Sequence, residues 1–226
     1  MDSEALWLTV RLALATTAVL LAVAVPLAWW IAGRRSAGRA VVQAVVGLPL
    51  VLPPTVLGYY LLVLLGPATA PGRALIRLTG HPLAFHFSGL LVGSILYSLP
   101  FAVQPLVAGI SAVEAGYLEA AAMLGARPTQ IFRSVVLPMV RGSLLTSAVL
   151  AFTHTVGEFG VVLMLGGNIP GATRTLSIAL YDQVQELNYA AANRTAGVLL
   201  AISFAALLGV YLTPRLLRTG EGGLLD

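Results

Sequence analysis

The sequence predicts an all-α polytopic membrane protein with about five transmembrane helices. Hydrophobic residues make up 58% of the chain and charged residues only 10%, whereas ordinary soluble domains carry about a quarter charged residues. The mean hydropathy is +0.90. The apolar residues also fall into separate stretches close to the ~20 residues that cross a bilayer core. A water-soluble chain of 226 residues could not bury this much apolar surface.

Five stretches qualify as spans within one domain that covers residues 1–226. They lie at residues 12–32, 41–65, 85–110, 142–165 and 195–212. The first follows the acidic start Met1-Asp2-Ser3-Glu4, which lacks the basic region of a secretory signal, so we expect this span to be retained.

The arginines predict the orientation of the spans. Three connecting or terminal segments share one side of the membrane and hold eight arginines, whereas the other side holds five. The eight are Arg34, Arg35, Arg39, Arg127, Arg133, Arg141, Arg215 and Arg218. The positive-inside rule places the richer side in the cytoplasm, which puts the N-terminus outside and the C-terminus inside. Because the arginines are scattered between apolar stretches, they indicate topology rather than nucleic-acid binding.

The second and third spans contain helix breakers. Pro53 and Pro54 lie in the second span, and Pro100 and Pro105 lie in the third. Each proline removes a backbone donor and bends its helix. In lipid, the freed carbonyls need partners from neighbouring helices or a water-filled cavity. Two interpretations stay open: kinked helix packing, or a pathway lined by distorted helices that includes Pro53 and Pro54.

Residues 111–140, between the third and fourth spans, form a polar segment on the arginine-rich side. An alanine-rich, helix-favouring stretch ends at Gly125, which suits a left-handed helix stop. Pro128 suits the first turn of a second helix, which places Ile131, Phe132 and Val135 on one face. Such an amphipathic helix either lies among lipid headgroups or enters a groove on another protein.

This segment resembles the EAA loop of binding-protein-dependent ABC importer permeases. That pattern reads Glu-Ala-Ala, three residues, Gly, nine residues, Ile-x-Leu-Pro. The chain has Glu119-Ala120-Ala121, three residues, Gly125, nine residues, Val135-Val136-Leu137-Pro138, and its single departure is Val135. Residues 47–62, GLPLVLPPTVLGYYLL, and 156–182, VGEFGVVLMLGGNIPGATRTLSIALYD, are similar to the molybdate branch of these permeases. The sulfate-type permeases are its nearest relatives.

The resemblance implies a permease subunit that forms the pathway of an ATP-driven importer in the plasma membrane of a prokaryote. Its partners would be a second copy of itself, two cytoplasmic ATPase subunits and an extracytoplasmic oxyanion-binding protein. The residues that the resemblance assigns to ATPase coupling are Glu119, Ala120, Ala121, Gly125, Ile131, Phe132, Val135, Leu137 and Pro138. Phe132 is expected to be the apolar anchor in the ATPase cleft.

The sequence has no G-x-x-x-x-G-K-[ST] phosphate loop, so we expect it to be no enzyme and to bind no cofactor. ATP and Mg would bind the partner ATPase. Molybdate is the expected substrate, without separation from tungstate; the alternatives are a sulfate or thiosulfate permease and a stand-alone secondary transporter. The last would need a coupling-ion site and often an internal repeat, and neither is visible.

Glu158 is the only carboxylate expected inside a span, and such residues are functional candidates because they are costly in lipid. An ionised glutamate would repel an oxyanion. A structural or gating role, cavity lining and an interfacial position therefore stay open. Thr153 and Thr155 belong to a run of small and hydroxylated residues that indicates either helix packing or a pore-facing stripe.

Two further regions contain candidate binding residues. The outside segment with Asn168 and Arg174 is either a surface loop or a contact for the binding protein. His154 and Glu158 lack the second histidine of His-Glu-x-x-His, so we expect no metal site.

Overall fold

A computed structural model describes residues 2–33 and 36–219, with side chains through residue 212. This part of the chain is helical and contains no strand. The helices are α1 (Ser3–Ile31), α2 (Ala37–Gly47), α3 (Pro54–Leu65), α4 (Ala70–Thr79), α5 (Phe87–Ser111), α6 (Ala115–Met123), α7 (Pro128–Ile131), α8 (Leu137–Met139), α9 (Arg141–Gly157), α10 (Gly160–Gly166), α11 (Leu176–Gln185) and α12 (Tyr189–Thr219).

Within the described residues, three helices are each long and apolar enough to cross a membrane: α1, α5 and the Tyr189–Leu212 part of α12. The third predicted span, at residues 85–110, corresponds closely to α5. Helix α1 begins well before the predicted start at residue 12, because Asp2 caps it by accepting a hydrogen bond from the Ala5 amide at 2.9 Å.

The second predicted span is not one helix. Helix α2 continues as a 3₁₀ turn at Leu48–Leu50, and α3 then leaves at an angle of 110° to the α2 segment. Pro53 and Pro54 account for the break, since neither can donate a backbone hydrogen bond. The proline signal was visible in the sequence, but the size of the bend was not.

The fourth predicted span, residues 142–165, is also divided. Helix α9 ends at Gly157 and α10 begins at Gly160, so Glu158 lies in a break between helices rather than inside one. Helix α9 also follows the segment Pro128–Met139 at an angle of 74°. If each bent pair counts as one span, the described residues contain up to five spans.

Helices α4 and α11 were not predicted. Each is only 10 residues long, too short to span. Thr69 caps α4 by accepting from the Gly72 amide at 3.1 Å. The α11 start is tied to α1, where the Leu176 amide donates to Thr9 Oγ1 at 2.8 Å.

Helices α1, α5 and α9 pack together around the main core, which includes Leu20, Ala102 and Ala151. Helix α3 packs on α10 and on one half of α5 through Leu61, Leu65 and Leu165. Helix α12 contacts α9 and α11. Only 6% of its membrane-spanning stretch is buried inside the chain, so most of its apolar surface is free to face lipid or another chain.

The predicted orientation depends on residues that are only partly described. Arg34 and Arg35 lie outside the described residues, and the side chains of Arg215 and Arg218 do so too. The outside N-terminus and the cytoplasmic C-terminus therefore stay predictions.

Candidate functional site

The polar segment between α5 and α9 contains a well-formed helix stop at Gly125. Its φ angle is +80°, in the left-handed region. The Gly125 amide donates to Ala122 O at 2.9 Å, and the Ala126 amide donates to Ala121 O at 3.1 Å. These two bonds are those of a Schellman motif, which satisfies the last carbonyls of α6.

The second half of the segment starts at Pro128, as predicted. The Arg127 amide donates to Gln130 Oε1 at 2.8 Å, which caps the entry into α7. Residues Phe132–Val136 form a π-helical turn, followed by α8 with Leu137 and Pro138. Pro138 lacks an N–H and its ring crowds the preceding turn, which accounts for the widened helix.

Phe132 packs against its own chain. Its ring centroid lies 5.2 Å from that of Trp29 in α1, and the side chain is only partly exposed. The assignment of Phe132 as the apolar anchor stays a prediction, with Trp29 of α1 in contact with one side of its ring. The most exposed large apolar side chains of this segment are Met123 and Leu124, each 88% exposed, followed by Tyr117.

A cavity of about 410 Å³ lies beside the Gly125 turn. Four residues of the predicted coupling set line it: Ala121, Gly125, Ile131 and Val135. The other lining residues are Leu124, Ala126, Gln130 and Ser134. Glu119 and Ala120 lie on the exposed surface of α6, while Leu137 lines a separate groove with Phe132. Met123 and Leu124, absent from the predicted set, directly precede the glycine and could have been found as exposed apolar residues at the turn.

The two helix breaks meet deeper in the molecule. The α-carbon of Gly160 lies so near α3 that a Cβ built on it would come within 2.7 Å of Pro54 Cβ and 3.3 Å of the Thr55 amide nitrogen. Between the breaks is a cavity of about 430 Å³, lined by Pro54, Thr55, Tyr97, Thr153, His154, Gly157, Glu158, Phe159 and Gly160. Three of the predicted pathway residues, Pro54, Thr153 and Glu158, therefore line one cavity. Pro53 caps α3 at its exposed edge.

Thr155 does not line this cavity. Its hydroxyl is buried and lies 2.9 Å from Ala151 O, to which it donates. It belongs instead to a chain of hydrogen bonds between α9 and α5. Ser98 Oγ lies 3.0 Å from Thr155 Oγ1 and 2.9 Å from His154 Nδ1.

Glu158 is 3% exposed, and neither carboxyl oxygen has a hydrogen-bond partner in the part of the chain that the structure describes. The Ser94 hydroxyl lies near this carboxyl group, but the two groups do not meet at hydrogen-bond geometry. The Glu158 carboxyl group is therefore buried inside the chain, and its role in gating, packing or cavity lining stays a prediction.

Asn168 and Arg174 form a cluster with Asp182. Asn168 Nδ2 donates to both Asp182 oxygens at 3.1 and 2.9 Å, and Arg174 Nε donates to Asn168 Oδ1 at 2.7 Å. An ion pair of 3.6 Å joins Arg174 to Asp182. Both predicted contact residues thus brace their own loop while staying partly exposed. Within the described residues no three metal-ligating side chains come together.

The chain is similar to several characterised permeases. A family model for binding-protein-dependent transport system inner membrane components matches residues 24–218. The chain is 48% identical over 214 residues to the molybdenum transport system permease protein of Azotobacter vinelandii, covering 95% of both chains. It is 33% identical over 184 residues to the sulfate transport system permease protein of Salmonella typhimurium, covering 81% of this chain and 66% of that one.

A solved methionine ABC transporter shares the fold. The TM-score is 0.73 at 18% sequence identity, over 97% of this chain and 95% of that one.

Proposed function

Because the chain belongs to the family of binding-protein-dependent transport system inner membrane components, we propose that it is the permease subunit of an ATP-driven molybdate importer. It is a multi-pass protein of a prokaryotic plasma membrane. The observation that supports molybdate as the substrate is the 48% identity to a molybdenum permease along 95% of both chains.

ATP hydrolysis belongs to a separate subunit in this proposal, since the sequence has no phosphate-binding loop. The docking surface is the turn after α6, where Met123 and Leu124 are 88% exposed. Exposed apolar residues at the end of a polar segment favour insertion into a groove on a protein partner. The Gly125 turn fixes the direction in which these two side chains project.

Two copies of the chain form the pathway, and each copy contacts one ATPase subunit. Closure of the ATPase pair on ATP moves the two coupling turns together, and the attached helices turn the pathway outward. Hydrolysis returns it inward. A binding protein outside the cell delivers the oxyanion near the loop that Asn168, Arg174 and Asp182 brace.

Uptake into proteoliposomes tests this function. The chain is reconstituted with its ATPase and binding-protein partners from the same organism, and labelled molybdate is supplied with the binding protein outside and ATP inside. We expect ATP-dependent accumulation that excess tungstate reduces and excess sulfate does not.

The second candidate is a sulfate or thiosulfate permease, which the 33% identity to a sulfate permease supports. Labelled sulfate in the same vesicles distinguishes the two. Accumulation of sulfate without molybdate would replace the first proposal by the second. Accumulation that needs no ATPase subunit would instead indicate a secondary transporter.

A further inference from the structure

The cavity between the two helix breaks is lined by polar side chains that helix packing alone does not require. Irregular backbone at membrane depth is tolerated where it is buried in protein or lines a water-filled cavity. Here the α3 start and the α9–α10 break lie against each other and share one cavity of about 430 Å³. Discontinuous helices of this kind line the ligand paths of many transporters.

Glu158 is the only charged side chain among the residues that line this cavity. Within the part of the chain that the structure describes, its carboxyl oxygens meet no partner at hydrogen-bond geometry, and none of the lining residues is an arginine. Burying an ionised carboxylate without a partner costs far more free energy than burying the neutral acid. Protonation of the carboxyl group therefore lowers the free-energy cost of burying it in this cavity.

The hydrogen bonds around His154 fix the proton on its ring. Ala151 O can only accept, so Thr155 donates to it, Ser98 donates to Thr155, and His154 Nδ1–H donates to Ser98. In the neutral ring, Nε2 then carries the lone pair. The ring is held in place by Phe101, stacked at 3.9 Å, and by Tyr97 at 4.7 Å.

We propose that Glu158, in the cavity that it shares with His154, binds one exchangeable proton, which sets the charge of the cavity and thereby the passage of the oxyanion. The site takes its proton from water: the carboxylate becomes the neutral acid, and hydronium becomes water. With the proton bound, the cavity is neutral and admits an anion. Without it, the negative carboxylate repels the anion. Tyr97 is the other titratable residue that lines the cavity. The role in transport rests on the proposed function.

The test is the pH profile of molybdate uptake in proteoliposomes with Glu158→Gln, which keeps the shape of the protonated acid. Glu186→Gln is the matched control, because Glu186 is an exposed carboxylate away from the cavity. We expect uptake by the wild type and the control to fall about tenfold per pH unit on the alkaline side of the midpoint. Glu158→Gln should stay active and lose this fall. Identical profiles for Glu158→Gln and the wild type overturn the proposal.

Infrared spectroscopy of the purified complex gives a readout that does not depend on transport. The wild type should show the carbonyl band of a protonated carboxylic acid at neutral pH, and raising the pH should remove it. Glu158→Gln should lack the band. A wild type without the band overturns the proposal even if the variant does not assemble. A wild type that shows the band but takes up no molybdate at any pH contradicts the proposed function and leaves the proton site standing.

Discussion

Gly125 shows how one residue determines the geometry of the turn that we propose docks on the ATPase. Its φ angle of +80° is a conformation that side chains with a branched Cβ rarely adopt. Yet a Cβ at this position would meet no atom within 4 Å, so space is not what requires glycine here. The constraint is conformational, and it acts on the direction of Met123 and Leu124.

We expect Gly125→Val to uncouple transport while leaving the chain inserted in the membrane. The left-handed conformation costs a non-glycine residue about 1–2 kcal/mol, so the turn should open and displace the docking side chains. Uptake and co-purification of the ATPase subunit measure the effect. Gly116→Val is the control, because Gly116 is exposed in α6 and has no positive φ. Wild-type uptake by Gly125→Val would contradict the prediction.

Substitutions at Phe132 and Leu124 should distinguish effects on the stability of the permease from effects on ATPase binding. Leu124→Ala removes an exposed side chain, so it should leave the thermal stability of the isolated permease unchanged and weaken ATPase binding by about 1–2 kcal/mol. Phe132→Ala removes the contact with Trp29, so it should lower the stability of the isolated permease by about 1–3 kcal/mol. Thermal unfolding and complex dissociation, both in detergent, distinguish them. The opposite assignment of the two effects would make Phe132, rather than Leu124, the anchor.

At the scale of elements, the main feature is the contact between α3 and α10. Both are short, with 12 and 7 residues, and neither crosses a bilayer core alone. Their packing holds the two breaks together. At Gly58 a Cβ would lie 2.8 Å from Met164 Cβ and 3.1 Å from Val161 Cα, so the helices approach too closely for a side chain.

Gly58→Ala should therefore separate α3 from α10 and destabilise the fold by about 1–3 kcal/mol, since overpacking at a backbone contact forces the helices to move. Thermal unfolding of the purified permease measures this change. Gly197→Ala is the matched control, because Gly197 lies in α12 and a Cβ there meets nothing within 4 Å. Equal unfolding temperatures for the two variants would show that the contact is not tight.

At the scale of the whole molecule, the open question is which face of the membrane each end occupies. The sequence contains no cysteine, so a single introduced thiol reports on its own position. Gly38 and Gln185 are exposed and lie on opposite sides in the predicted topology.

We expect a membrane-impermeant maleimide to label Gln185→Cys in intact cells and Gly38→Cys only after the membrane is opened. The physical reason is the arginine bias, which keeps the segment before α2 on the cytoplasmic side. Labelling of Gly38→Cys in intact cells would invert the topology and place the coupling turn outside, away from any ATPase.

The sequence by itself determined the features that depend on local chemistry. Transfer of apolar residues into lipid is close to additive along a stretch, so composition and length were enough to predict the membrane class and the extent of α5. The tendency of glycine to end a helix and of proline to begin one is also local, so the helix stop at Gly125 and the restart at Pro128 could be predicted. The motif around them carried the resemblance to importer permeases.

The tertiary structure decided what depends on contacts between residues far apart in the chain. Phe132 contacts Trp29, and the break at Pro54 lies against Gly160. No local pattern contains either pairing, because each arises from how several helices pack. The burial of Glu158 without a partner follows from the same packing. A carboxylate in an apolar stretch can be seen in the sequence, but whether it faces bulk water, an arginine or a cavity between helices depends on the surrounding helices.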